Sequence, residues 1–372
     1  MGTKLKAGII GHTNKGDYGH SLDSVYNDMD EVEVIAISDC NKNGLIKAGK
    51  RNKIEKLYEN FNKMLKNENL DLLNICPRDV TNRLDMFKAC INTNIRGIFC
   101  EKPLASTLDE ADKINNICAD NNIKLVVAHR RANAYEIKAK ELIDDGQIGE
   151  IINIKSRGKG DHRAGGEDLF VLGTHMMDSM RYYTNSEVNW VQSSVLQNKK
   201  KIKKADIQIG NEGIGLTVGD NISATFMFNN GIIGYFESYP VITNTECHAS
   251  WFGFEIYGSK GAICVRNSPR GEMFKIKENI WIPQKKDYDW KQINLDHWDN
   301  IPLEEITDAS NKLIVYDLIK SINDNKIPNT VSSGIDATKA LEMIFGVYQS
   351  EINQSRVYFP LKDRNNPLNK LN

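Results

Sequence analysis

No run in this 372-residue chain approaches the ~18 consecutive apolar residues that a membrane helix needs, so no membrane association is expected. Neither sign of charge is in excess: 48 Lys and Arg stand against 49 Asp and Glu, a net charge of −1. Nucleic-acid binders usually carry a basic face, and none is implied here. The one basic run, Lys199-Lys200-Lys201-Ile202-Lys203-Lys204, reads as a solvated loop. Seven cysteines are present, without a CxxC pair or a closely spaced array. Scattered over apolar segments, they predict reduced thiols and a cytoplasmic setting. The opening residues, MGTKLKAGII, enter an apolar segment too short for a signal sequence. There is no internal repeat.

What the chain does have is length and alternation. It exceeds the ~250–300 residues at which a single core stops growing, so two domains are expected. Through the first third, Lys6–Ile10, Val32–Ser38, Leu70–Cys76, Gly97–Cys100 and Lys124–Ala128 read as strands. Between them, 80–94 and Leu108–Asp120 read as helices, the latter opening on a Thr107-Leu-Asp-Glu110 capping box. This alternation predicts an α/β Rossmann domain, with a parallel sheet, over residues 1–130. After that the pattern changes. Tyr135–Asp145 is helical and ends at Gly146, and Asn229-Asn230-Gly231 joins two strands as a hairpin. A second hairpin joins Phe252–Tyr257 to Ala262–Val265, and helices are expected at Ile314–Ile322 and Ala337–Ser350. Residues 131–372 are therefore expected to form an α+β domain on a large, mostly antiparallel, open sheet.

The first strand runs into Gly11-His12-Thr13-Asn14-Lys15-Gly16-Asp17-Tyr18-Gly19-His20. A dinucleotide fingerprint places glycine where the chain turns tightly and where backbone approaches a pyrophosphate. Gly11 and Gly16 have the spacing of the first and third glycines, Thr13 takes the second position, and Gly19 is an alternative third. The loop reads as leading into a helix whose N-terminal amides attract phosphate. Asp39, ending the second strand, suits the two ribose hydroxyls and repels a 2′-phosphate. NAD is the expected cofactor, with His12 in the same loop; Asn41-Lys42 leaves NADP open.

A second departure from an ordinary strand is IFCEKPLAST, residues 98–107. An apolar run ends in Glu101-Lys102-Pro103, and carboxylates and amines are seldom buried without a partner or a purpose. Strand ends of an open parallel sheet are where ligands bind. Pro103 disfavours helical backbone at Lys102, which holds the lysine extended at the strand tip. A lysine in a cleft can serve as a general acid–base group once burial and a neighbouring cation lower its pKa. Glu101 opposes that unless it is directed elsewhere, toward backbone donors.

With Glu101-Lys102-Pro103 in view, the chain resembles the Gfo/Idh/MocA oxidoreductases, the glucose–fructose oxidoreductase and inositol dehydrogenase group. Ile75-Cys76-Pro77 is similar to the family's segment beside the nicotinamide ribose, and Ala139–Ile151 to its bridge between domains. Gly173-Thr174-His175-Met176-Met177-Asp178 resembles its G-x-H-x-x-D stretch, and Ile327–Ser350 with Val357–Leu361 its closing segment. The resemblance spans nearly the whole chain in family order. It implies a dehydrogenase acting on CH–OH groups, with hydride passing between nicotinamide and a ring hydroxyl of a sugar, inositol or sugar derivative. Lys102 would be the acid–base group, with Cys76, Pro77 and Glu101 bordering the nicotinamide. His175 would meet the substrate hydroxyl, and Asp178, three residues on along the same helical face, would orient His175 or cap locally. A homodimer or homotetramer is implied as well.

One position departs from the family. Many inositol-dehydrogenase-like members carry aspartate four residues before the histidine, where this chain has Val171. Lys102 then carries more of the proton transfer, with Asp168, Glu167 or Asp161 as substitutes. Asp161, His162 and the neighbouring Lys159 and Arg163 are dense in groups that suit a polyol. Arg130, after the last Rossmann strand, is a weaker substrate candidate. The spacing of His162, Glu167, Asp168, His175 and Asp178 matches no compact ligand pattern, so no metal is expected. Two other functions fit the same fold: a nicotinamide-binding regulator without turnover, and a redox-neutral enzyme that oxidises its sugar only transiently.

Overall fold

The computed structural model describes residues 4–240, 252–280 and 289–371. The chain forms two compact units: Met1–His129, Asn211–Gly215 and Thr307–Thr338 in the first, and Arg130–Gly210, Leu216–Ile306 and Lys339–Asn372 in the second. Two segments that the sequence places in the second domain therefore fold with the first. Periodicity marks a helix's apolar face without saying which sheet it covers. Leu318 and Ile322 of helix Ile306–Asp324 reach Gly97, where any side chain would meet them within 3.1 Å.

The first unit holds β1 (Leu5–Ile10), β2 (Val32–Ser38), β3 (Lys56–Tyr58), β4 (Leu72–Ile75), β5 (Gly97–Cys100) and β6 (Lys124–Val127). They lie in the order β6-β5-β4-β1-β2-β3, all parallel, with Ser332–Ser333 added antiparallel beside β6. Every residue of β4 and β5 is buried, as expected of a parallel sheet covered on both faces. Helix Leu108–Asp120 starts at Thr107, whose hydroxyl accepts the Glu110 amide. The reciprocal bond differs from a capping box, because the Glu110 carboxylate takes the amide and hydroxyl of Ser106.

Register aligns the strand ends. Ser38 pairs with Ile10, Ile10 with Ile75, Ile75 with Cys100, and Cys100 with Val127. The next residue of each strand, Asp39, Gly11, Cys76, Glu101 and Ala128, therefore forms one row along the carboxyl edge. The expected helix after β1 is absent: residues 13–28 are almost entirely a succession of turns. Positive φ at Asn14, Gly16, Asp17, Gly19, Ser21 and Asp28 interrupts any helical path.

The second unit is built on a ten-stranded sheet. It contains β7 (Ile151–Arg157), β8 (Val188–Gln197), β9 (Lys200–Lys201), β10 (Gln208–Ile209), β11 (Leu216–Thr217), β12 (Asn221–Phe228), β13 (Ile233–Ser238), β14 (Gly253–Gly258), β15 (Ala262–Arg266), β16 (Glu272–Ile276) and β17 (Lys291–Ile293). The sheet runs β17-β16-β15-β14-β7-β13-β12-β8, then Val357–Tyr358, with β9 beside β8; β10 and β11 pair separately. Among the described residues, only β7 and β13 run parallel; the other pairings are antiparallel. The basic run expected as loop thus contributes an exposed two-residue edge strand.

Helix Gly173–Thr184 is buried along its whole length. Gly234 gives it room, since a Cβ there would stand 3.0 Å from the Met180 sulfur. Burial in β12 and β13 alternates strictly, Ile222, Ala224, Phe226 and Phe236 facing inward.

Candidate active site

In the first unit the functional candidates collect on the carboxyl edge. Glu101 is fully buried, and its Oε2 accepts the backbone amide of His20 and the Nδ1–H of the same residue, both at 3.0 Å. Oε1 accepts the Lys102 amide at 3.0 Å. Burial alone would raise the Glu101 pKa, but the His20 charge and hydrogen bonds, with Lys102, bring it down to about 2. The carboxylate is thus directed at backbone and at His20, whose ring is half exposed. Lys102 itself is 3% exposed and precedes a cis Pro103.

The glycine loop folds onto this edge. His12 and Asp17 exchange backbone hydrogen bonds, which closes the tight turn. Thr13, standing where a fingerprint has glycine, donates its amide and hydroxyl to Asp39 Oδ2 at 3.0 and 2.6 Å. Asp39 Oδ1 accepts the Asn41 amide at 2.8 Å. Gly16 and Gly19 both have positive φ and both allow close approach. A Cβ on Gly16 would meet the Arg78 amide at 2.3 Å, and one on Gly19 would meet Glu101 Oε2 at 2.5 Å. Gly11 leaves space that the Tyr18 ring fills. Cys76 and Pro77 are buried at the end of β4.

Three residues here were not singled out by the sequence. His20 was legible only as a member of the loop. Tyr18 has a buried hydroxyl beside Asp39, and burial with that carboxylate raises its pKa. Arg83 lies in helix Arg83–Lys88 and is fully buried. An arginine on the apolar face beside Met86 and Phe87 is the signal that could have marked it.

The second unit carries the remaining candidates, several of which are committed to structural bonds. Arg131 makes a buried bidentate pair with Asp178, Nε to Oδ2 at 2.8 Å and Nη2 to Oδ1 at 2.5 Å. Asp178 is thus bound to Arg131, which lies outside its helix. Arg130 donates to Glu136 Oε1 at 3.0 Å and to the Ser268 carbonyl at 3.2 Å. Asp168 is fully buried and accepts from the Ser238 hydroxyl and the amides of Lys159 and Gly160, holding its own loop. Burial raises its pKa despite those donors. Asp161 is gripped by both arms of the Arg163 fork, which hold it well below the usual carboxylate range against the effect of burial. His162 is exposed, 3.8 Å from Asp161. His175 is buried in the first turn of helix Gly173–Thr184, and Val171 is buried just before it.

Residues 5–129 match the model for an oxidoreductase family with an NAD-binding Rossmann fold, and residues 137–264 match that for a Gfo/Idh/MocA C-terminal domain. The chain belongs to the Gfo/Idh/MocA oxidoreductases. It is 26% identical over 253 residues to a myo-inositol 2-dehydrogenase of Thermotoga maritima, covering 64% of this chain and 69% of that protein. A levoglucosan dehydrogenase of Pseudarthrobacter phenanthrenivorans is 28% identical over 201 residues, 47% of this chain and half of the relative. A levoglucosan dehydrogenase structure in complex with NADH and levoglucosan superposes with a TM-score of 0.77 at 20% identity, over 96% of this chain and all of the other. The galactose/lactose regulatory protein GAL80 of Saccharomyces cerevisiae is 26% identical over 190 residues, 46% of this chain and 43% of the regulator. The family fold is thus shared by enzymes and by a regulator. Among the described residues, no helix is long and apolar enough to cross a membrane.

Proposed function

We propose that this protein is an NAD-dependent dehydrogenase that oxidises a ring hydroxyl of a sugar, inositol or sugar derivative, with Lys102 as the acid–base group. The observation that carries the reading is the placement of Lys102. It is a nearly buried lysine at the tip of β5, and its neighbouring carboxylate is turned away onto His20.

The residues fit a dinucleotide in kind. Asp39 holds three donors, and a carboxylate offers about four acceptor positions, so one remains for a ribose hydroxyl. The buried Tyr18 hydroxyl beside it is a second group suited to a ribose. Gly11, His12, Thr13, Gly16 and Asp39 would hold the adenine half, and Cys76, Pro77, Glu101 and Lys102 the nicotinamide half. The Asp39 charge favours NAD over NADP. When bound, the nicotinamide supplies the hydride acceptor.

Removal of the hydroxyl proton falls to Lys102, which acts as base only in its amine form. General base assistance of this kind contributes roughly 10²- to 10⁴-fold. Glu101 contributes by holding His20 and the Lys102 amide, which fixes the backbone from which the lysine extends. From the second unit His175 is the candidate for the substrate hydroxyl, with Asp161 and His162 as candidates for other hydroxyls. Asp168, Asp178 and Arg130 have bonds that suit support of the fold better than recognition of a ligand.

A second copy of the chain is the proposed partner, covering the sheet face where Thr225, Met227 and Tyr235 lie opposite the inward residues of β12 and β13. Sedimentation as a dimer or tetramer would support that. The buried free cysteines suit a reducing, cytoplasmic setting.

The test is purified protein with NAD against myo-inositol, levoglucosan and a panel of aldoses, followed at 340 nm with analysis of each sugar. NADH formed with one polyol supports the dehydrogenase. Altered sugar without NADH supports transient oxidation. Cofactor binding with neither moves the reading to a regulator.

A further inference from the structure

Arg83 carries a guanidinium in the interior of the first unit, and its partners are neutral. Nη1 donates to the Glu101 carbonyl at 2.6 Å, the Pro103 carbonyl at 3.2 Å and the Cys100 sulfur at 2.9 Å. Nη2 donates to the Pro77 carbonyl at 2.5 Å. The side chain is fully buried. Burying a charge without a counter-ion is costly, so a protein that keeps one there gains something specific from it. The carbonyls identify what is gained. Two of them flank Lys102 on either side, and the third belongs to the neighbouring strand tip.

We propose that Arg83 is a positioning residue for Lys102: one planar fork fixes the backbone before and after the lysine and ties it to the Pro77 turn. The inference rests on the reading of Lys102 as the acid–base group. The Glu101 carboxylate holds the Lys102 amide, whereas the carbonyls on either side of the lysine are held by Arg83. An arginine suits the task because its donors are rigidly coplanar and remain charged at any working pH. A lysine at the same place would offer three donors from a single nitrogen, without two coplanar arms a fixed distance apart.

The consequence is a loss of precision at the lysine. Misplacement of a reacting group by about 1 Å can cost on the order of 10²-fold in rate. Arg83→Lys and Arg83→Met are the informative variants, the first retaining the charge in case the second fails to fold. Two measurements are made on the full chain. Hydrogen–deuterium exchange needs no substrate. In Arg83→Lys, peptides over 98–106 and 76–80 should exchange about tenfold faster or more, with peptides of the second unit unchanged. Turnover is measured per NAD-binding site, with the polyol that the wild type oxidises fastest. There kcat should fall about tenfold or more while KM stays within about threefold.

Lys102→Met and the double variant complete the cycle. If Arg83 acts through Lys102, adding Arg83→Lys to Lys102→Met costs nothing further. Unchanged exchange at 98–106, wild-type kcat in Arg83→Lys, or losses that multiply in the double variant would overturn the proposal. Full turnover in Lys102→Met would instead overturn the reading of the lysine, and the exchange result at Arg83 would stand apart from it.

Discussion

Glu101 and His20 meet on the carboxyl edge of the first sheet through one carboxylate oxygen, which takes both the backbone amide and the ring Nδ1–H of the histidine at 3.0 Å. The pair places a buried negative charge beside Lys102 and gives it two donors other than the lysine side chain. Because the carbonyl of His20 is in turn held by Asn311, the glycine loop, β5 and helix Ile306–Asp324 share one network.

That network sets an acid dependence. The Glu101 pKa in the folded protein is about 2, below the ~4.3 of an unfolded glutamate, so its ionised form favours folding. The stabilisation is present above pH ~4.3 and is lost as pH falls through about 2. Glu101→Gln should be less stable than wild type by about 3 kcal/mol at neutral pH. Denaturant unfolding between pH 7 and 2 should show the gap narrowing below pH ~4.3. A gap that stays constant over that range would contradict the assignment.

Cofactor choice is expected to turn on Asp39. Asp39→Asn keeps the shape and removes the charge that opposes a 2′-phosphate. The NADP/NAD preference, measured as the ratio of dissociation constants, should shift toward NADP by about tenfold. No shift would mean that Asp39 serves only its bonds to Thr13 and Asn41.

Asp178 separates a structural role from a substrate role. Breaking a buried ion pair from one side typically costs roughly 3–5 kcal/mol, since the remaining charge is stranded. Asp178→Asn should therefore lower thermal stability strongly. Joint replacement, Arg131→Leu with Asp178→Leu, should recover part of the loss. If Asp178→Asn melts like wild type but binds polyol poorly, the residue belongs to the substrate site.

Asp168 is expected to behave in the same way, through the loop it holds. Asp168→Ala removes the acceptor for Ser238 and for the amides of Lys159 and Gly160, at about 1–3 kcal/mol. Proteolysis should then cut first within 158–165. Resistance there would show that the loop is held by something else.

Much of this architecture was legible because its signals are local. The alternation of apolar strands and helices, the Asn229-Asn230-Gly231 turn, and Glu101-Lys102-Pro103 at a strand end all follow from neighbours in sequence. Where partners are distant, the sequence does not show them. Asp168 and Asp178 look like site acids near His175, yet their partners Ser238 and Arg131 lie 70 and 47 residues away. The crossover after β1 reads as a helix in the sequence because a run of positive-φ residues, only some of them glycine, has no counterpart in periodicity. Arg83 does not stand out in the sequence because an arginine at a helix start is ordinarily solvated, and only the structure shows three carbonyls around it.

The most direct test of the central claim is Lys102→Met beside wild type, in one assay that reads NADH formation with the best polyol and NAD binding by titration. The account predicts that turnover falls by roughly 10²- to 10⁴-fold, while the dissociation constant for NAD changes by no more than about threefold. A variant that turns over polyol at the wild-type rate would contradict it.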